Sequence, residues 1–142
     1  HKLIEECMIA ANVAAARFLH RGKVPALYRV HAPPPLDRYG MVAEALTEFG
    51  VVLPARELLT PLDLERILMR ARERPEGPLI EAMLLRMQSL AVYSPANSGH
   101  FGLALQAYAH FTSPIRRYPD LLVHRAIGHL LDGGKPGAYV HS

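Results

Sequence analysis

Apolar residues recur every three to four positions over several stretches of this chain and every second position over one long stretch. Residues 3–19, LIEECMIAANVAAARFL, contain no Gly or Pro and are rich in Ala, Leu and Met, so a helix is expected there. At about 100° per residue, Leu3, Cys7, Ala11, Ala14 and Phe18 share one apolar side. Glu5 and Asn12 fall about 20° apart on another side, with Ile9 and Ala16. A helix apolar nearly all round should be central and mostly covered. Its two polar groups then either find buried partners or form a wet edge with Glu6 and Arg17. Arg21-Gly22-Lys23 supplies a normal stop.

Residues 26–31 alternate and predict a short strand near Leu27 to Val30, broken by Pro33-Pro34-Pro35. Helical periodicity returns over Leu36–Phe49, closed by Gly50. It returns again from Thr60-Pro61, a Thr cap before a first-turn Pro, to about Arg74, and from Leu79 to about Leu90. A hairpin is expected around Tyr93 and Phe101–Leu105. Its second arm alternates from His100 to Thr112, with Phe101, Leu103, Leu105, Ala107, Ala109 and Phe111 on one face. Ser113-Pro114 opens a further element. Pro119 forces a kink or a restart, and Asp120–Leu131 forms the last helix, ended by Gly133-Gly134. The fold class is therefore α+β, helix-dominated, with about five helices and a β-hairpin.

The 142 residues are 50% apolar and 20% charged, enough for one packed core and unlike a disordered tail. Sixteen Lys and Arg against thirteen Asp and Glu leave +3, which permits a polyanionic partner without demanding one. Cys7 is the single cysteine, which excludes an intrachain disulfide and a Cys-based zinc site. No apolar run reaches a membrane span of about 18 residues, and no signal peptide pattern is present; a cytoplasmic location fits. The chain opens at His1 inside a helical pattern with neither Met nor cap, and reads as a fragment.

The densest polar cluster runs from His110 to Arg117. It gathers His110, Thr112, Ser113, Arg116 and Arg117 about a helix start, where free amides and planar guanidinium groups suit phosphate oxygens. A Ser-Pro cap flanked by two solvated arginines fits the same residues. Asp37, Asp63, Asp120 and Asp132 are scattered and form no set for divalent ions. His124 and His129 lie about 140° apart on a helix and make no metal pair.

The stretch HFGLALQAYAHFTSPIRRYPDLLVHRAI, residues 100–127, resembles the C-terminal signature of the ribonuclease II/ribonuclease R family of exoribonucleases. HKLIEECMIAAN, residues 1–12, resembles a second family motif. Pro25-Ala-Leu-Tyr-Arg-Val-His31, Phe49-Gly50 and Tyr93 fit as landmarks between them, and the wording is nearest the bacterial ribonuclease R branch. The resemblance implies that residues 1–142 are the C-terminal part of the catalytic domain of a 3′-to-5′ exoribonuclease. Such an enzyme processively hydrolyses RNA to nucleoside 5′-monophosphates by metal-assisted attack of water. Mg2+ is then held by clustered aspartates outside this chain, which also lacks the cold-shock and S1 RNA-binding domains. Arg116 matches the arginine at the scissile phosphate. Glu5 matches the residue that reads a ribose 2′-hydroxyl. Ser113, His110 and Arg117 are candidate RNA backbone contacts by proximity. The partners implied are single-stranded RNA and the upstream part of the same catalytic domain, in a monomeric whole, with the chain alone inactive. A non-catalytic RNA-binding or scaffold relative is the alternative, and a helical domain that merely binds phosphate is a third reading.

Overall fold

A computed structural model describes residues 1–139 and divides them into two compact units. The first comprises His1–His31, Ala91–His100 and 105 onward. The second comprises Ala32–Leu90 and Phe101–Ala104.

In the first unit, helix α1 (Lys2–Gly22) packs against the last helix, Tyr118–Leu131. The apolar positions of both meet in a core of Ala15, Ala16, Leu19, Val123 and Ala126, joined by Val24, Ala26, Tyr28, Val30, Ala107 and Ala109. Small residues dominate this core, so the backbones lie close. A side chain at Gly22 would collide with Leu130. Lys23 ends α1 in the left-handed conformation at φ 54°, the role more often given to Gly. Strand β1 (Tyr28–Val30) pairs antiparallel with β2 (Val92–Ser94) in the register Tyr28–Ser94, Arg29–Tyr93 and Val30–Val92.

The second unit holds α2 (Leu36–Thr47), α3 (Pro61–Ala71) and α4 (Gly77–Met87) around Tyr39, Leu46, Leu64, Ile80, Leu84 and Met87. Thr60 caps α3 as its composition predicts. Its hydroxyl accepts from the Asp63 amide, while the Asp63 carboxylate accepts from the Thr60 amide. Gly77 is required where α4 starts, since a Cβ there would meet the Ala71 carbonyl. The last helix, Tyr118–Leu131, is α5, and Pro119 sits in its first turn, where a missing amide costs nothing. The chain therefore restarts at Pro119 and does not kink.

Five α-helices and one antiparallel strand pair among the described residues agree with a helix-dominated α+β class. Two expectations are corrected. Tyr93 pairs with Arg29 of β1, and residues 100–112 form no second hairpin arm. Phe101–Leu103 is instead a single 3₁₀ turn, Ala104 is left-handed at φ 55°, and residues 107–111 form neither helix nor strand, with bends at 106 and 112. The alternating pattern misled because Ala107, Tyr108 and Ala109 are buried in succession, so both faces of the segment are covered.

The second correction concerns α1, which is covered only over its second half. Leu3 is 72% exposed and Ile4 64%, whereas Asn12, Ala15, Ala16 and Leu19 are buried. Length explains this. The 21 residues of α1 extend about 31 Å, and the 14 residues of α5 about 21 Å.

Candidate nucleic-acid interface

Residues 113–117 form a tight turn entering α5. The Ser113 carbonyl accepts from the amides of Arg116 and Arg117 at 3.3 and 3.0 Å. A carboxylate lies beneath the turn. Asp120, fully buried, accepts through Oδ2 from the Ser113 amide and from Arg117 Nη2, both at 2.9 Å. A buried carboxylate in the first turn of a helix also meets the positive end of the helix dipole. Three buried polar atoms close to each other in sequence, Thr112 Oγ1, Arg117 Nε and Asp120 Oδ1, have no hydrogen-bond partner among the described residues.

The two adjacent arginines thus have opposite environments. Arg117 is 27% exposed and tied to Asp120. Arg116 is exposed and touches its own turn through one Nη2 bond to Ser113 Oγ at 3.2 Å. One guanidinium roots the turn, and the other is presented by it.

The segment before the turn is held by α1. Asn12, 3% exposed, accepts from the Phe111 amide at 2.9 Å and donates to the Tyr108 hydroxyl at 3.0 Å. Both ends of its amide are used, which fixes residues 108–111 against the helix. The Tyr108 carbonyl accepts from the Arg29 amide of β1 at 2.8 Å, which ties the segment to that strand as well. His124 Nε2 donates to the Phe111 carbonyl at 2.8 Å, and the two rings stack with centroids 4.1 Å apart.

His110 Nδ1 and the Tyr93 hydroxyl form a hydrogen bond of 2.7 Å, and the Arg29 guanidinium lies 4.6 Å from the Tyr93 ring centroid. Burial and the positive charge of Arg117 push the His110 pKa down to about 4, with Arg29 and His100 adding to the effect and Asp120 opposing it. His110 is therefore neutral near pH 7. Burial, His31 and Arg29 depress His100 as well, against a backbone hydrogen bond that raises it.

Glu5 lies apart from this cluster, exposed on the first turns of α1, with no side-chain hydrogen bond among the described residues. Glu5 and Asn12, on one side of the helix by angle, thus separate into an exposed carboxylate and a buried amide. Sequence reasoning missed Asp120 as part of the site. Its signal was the Arg117–Asp120 spacing of three at a helix start. Tyr93, Tyr108 and Arg29 stood in the stretches that carry the family resemblance but were not singled out as site residues.

Charge is divided unevenly. The first unit has nine Lys and Arg against four Asp and Glu, a net of +5, and the second has seven against nine, a net of −2. No Asp or Glu occurs between Glu6 and Asp37, or between Glu81 and Asp120. No described helix is long and apolar enough to cross a membrane.

A family model for the RNB domain matches residues 1–133. The chain belongs to the RNB-domain family. Over 131 residues it is 52% identical to Ribonuclease R of Escherichia coli (strain K12) and 53% identical to Ribonuclease R of Vibrio cholerae, covering 92% of this chain in each case. It spans only 16% of the length of those relatives. Among solved structures, Mycoplasma genitalium RNase R in complex with ribose methylated single-stranded RNA superposes with a TM-score of 0.81 at 30% identity, over 96% of this chain and 21% of that one. Yeast Ssd1, described as a pseudonuclease, shares the fold with a TM-score of 0.76 at 24% identity, over 98% of this chain and 17% of that one.

Proposed function

We propose that this RNB chain is part of a 3′-to-5′ exoribonuclease that processively hydrolyses single-stranded RNA to nucleoside 5′-monophosphates. One observation carries the reading: Arg116 is held out on a turn rooted through Ser113 and Arg117 on buried Asp120. A fixed guanidinium stabilises the charge that gathers on phosphate oxygens as water attacks and the 3′-oxygen leaves. Rooting limits the reorganisation needed when that charge develops. Ser113 offers a hydroxyl to a phosphate oxygen, and Arg117 adds positive potential while paired. His110, neutral, contributes a hydrogen bond and not a charge. Exposed Glu5 accepts from a ribose 2′-hydroxyl, which DNA lacks.

The family resemblance calls for Mg2+, which favours several oxygen ligands gathered in one place. The donor set here does not fit: among the described residues no three His, Cys, Asp or Glu are grouped, and Asp120, a lone buried carboxylate, already gives Oδ2 to Arg117 and the Ser113 amide. The ion accordingly belongs to carboxylates outside this chain, and the chain alone is inactive. Exposed Leu3, Ile4 and Met8 give the upstream part of the catalytic domain an apolar face on which to pack.

The test uses the complete protein that carries this chain, with single strands labelled at either end. A 3′ label should appear at once as mononucleotide, and a 5′ label should persist in strands shortened from the other end. Internal cuts, or mononucleotide released first from the 5′ end, would overturn the proposal. RNA binding without any product would favour the non-catalytic relative.

A further inference from the structure

A cleft of about 340 Å3 in the first unit is lined by Arg17, His20 and Arg21 of α1 and by Asn97, Gln106 and Ala107. We propose that it holds one nucleotide of a bound RNA strand, with the phosphate on Arg17 and Arg21 and the base edge on the amides of Asn97 and Gln106. This rests on the RNA partner proposed above but concerns residues outside the Arg116 turn.

The spacing of three and four residues puts Arg17, His20 and Arg21 on one face of α1, all exposed. Like charges one turn apart on a helix repel. Nothing nearby on the helix relieves them. The positions three and four residues to either side of the arginines are Val13, Ala14, Phe18, Val24 and Pro25, besides these basic residues themselves. Arg21 Nε donates to the Arg17 carbonyl at 3.4 Å, which lays that guanidinium along the helix. The side chain of Arg17 and the Nη groups of Arg21 make no hydrogen bond or ion pair among the described residues, so both forks are open to an anion.

Across the cleft the groups change character. Asn97 Oδ1 accepts from the Gly99 amide at 3.2 Å, which fixes the side chain and leaves its NH2 to donate. Gln106 is exposed and offers both a donor and an acceptor. Cations on one wall and primary amides on the other match a phosphate and a base edge. The volume is near the lower end of small-molecule sites, about 300–1,000 Å3, which suits a single nucleotide.

The experiment measures fluorescence anisotropy of labelled oligoadenylate with the complete protein, over a range of salt, in the wild type and in the Arg17→Gln/Arg21→Gln double variant. AMP is titrated in a parallel arm. The double variant should raise the Kd for the strand on the order of tenfold. It should also flatten the plot of log K against log salt by about 0.7, the single-strand slope for the one phosphate no longer neutralised. Arg17→Lys/Arg21→Lys should restore the salt slope, and Gln106→Ala should weaken binding without changing it. Strand binding equal to wild type in the double variant would overturn the proposal, as would a loss confined to AMP, which would assign the cleft to the free nucleotide. If wild-type protein fails to bind the strand at all, the RNA reading itself fails, and that result is distinct from either.

Discussion

Removing the Asp120 carboxylate tests how the arginine turn is rooted. Asp120→Ala takes the carboxylate acceptor from the Ser113 amide and the ion-pair partner from Arg117, in a place where Asp120 is fully buried. Breaking a buried pair from one side costs about 3–5 kcal/mol, because the remaining charge is left uncompensated. Arg117 is 27% exposed and can partly rehydrate, so the lower end, about 3 kcal/mol, is expected. Asp120→Asn keeps one acceptor oxygen and loses the charge; its cost should be about half as large. Urea unfolding gives the stability change, and the double variant with Arg117→Ala gives the coupling. If the proposed chemistry holds, Asp120→Asn in the complete protein should also lower kcat more than it weakens RNA binding, because Asp120 is buried beneath the turn that presents Arg116. A stability loss under about 0.5 kcal/mol for Asp120→Ala, the range of ordinary surface substitutions, would refute the rooting. So would kcat and affinity falling in equal proportion in Asp120→Asn.

Asn12→Leu strands the Phe111 amide and the Tyr108 hydroxyl together and should destabilise by about 2–4 kcal/mol in urea unfolding, at 1–3 kcal/mol per unsatisfied group with partial relief by water; a neutral result would mean that α1 does not hold the segment before the turn. The folded-state pKa of His110, about 4, lies below its ordinary 6.5, so the unfolded chain binds more protons between those values. Stability should therefore fall as pH drops from about 6.5 to about 4, and His110→Gln should flatten that slope in urea titrations at stepped pH; an unchanged slope would show that His110 is not the group responsible. Glu5→Ala should relax the preference for RNA over DNA by about 10- to 150-fold, the worth of a hydrogen bond to a charged acceptor, in kcat/KM on matched strands; equal loss on both strands would make Glu5 structural.

The helices were legible because their signals are local. Thr60 and Pro61 mark the start of α3, Gly50 closes the stretch after α2, and the Ala-rich run of α1 has no competing pattern. The partner of Tyr93 was not legible. A strict alternation from His100 to Thr112 mimics a hairpin arm, yet Phe101 packs with the second unit's core while Ala107 and Ala109 pack in the first. That choice is made by tertiary burial, which the period of the sequence does not encode. In the site, the cluster from His110 to Arg117 was visible as residue types, but the division between Arg117 and Arg116 was not. Two adjacent arginines look alike in sequence; only the buried carboxylate three residues further on separates them. The reach from Asn12 to Phe111, 99 residues away along the chain, had no sequence signal beyond a polar residue on an apolar helix.

Arg116→Ala in the complete protein is the most direct test of the proposed chemistry, with kcat from single-turnover mononucleotide release and Kd from strand anisotropy under the same salt. RNA affinity is spread over many phosphate contacts, so Kd should change only a few-fold. A charge at the scissile phosphate matters most in the transition state, so kcat should fall on the order of 10²-fold or more. Arg116→Lys should recover only part of that loss, since an ammonium cannot span two phosphate oxygens. A variant that loses affinity and turnover by the same factor, or that keeps its kcat, would show that the presented arginine is an ordinary backbone contact.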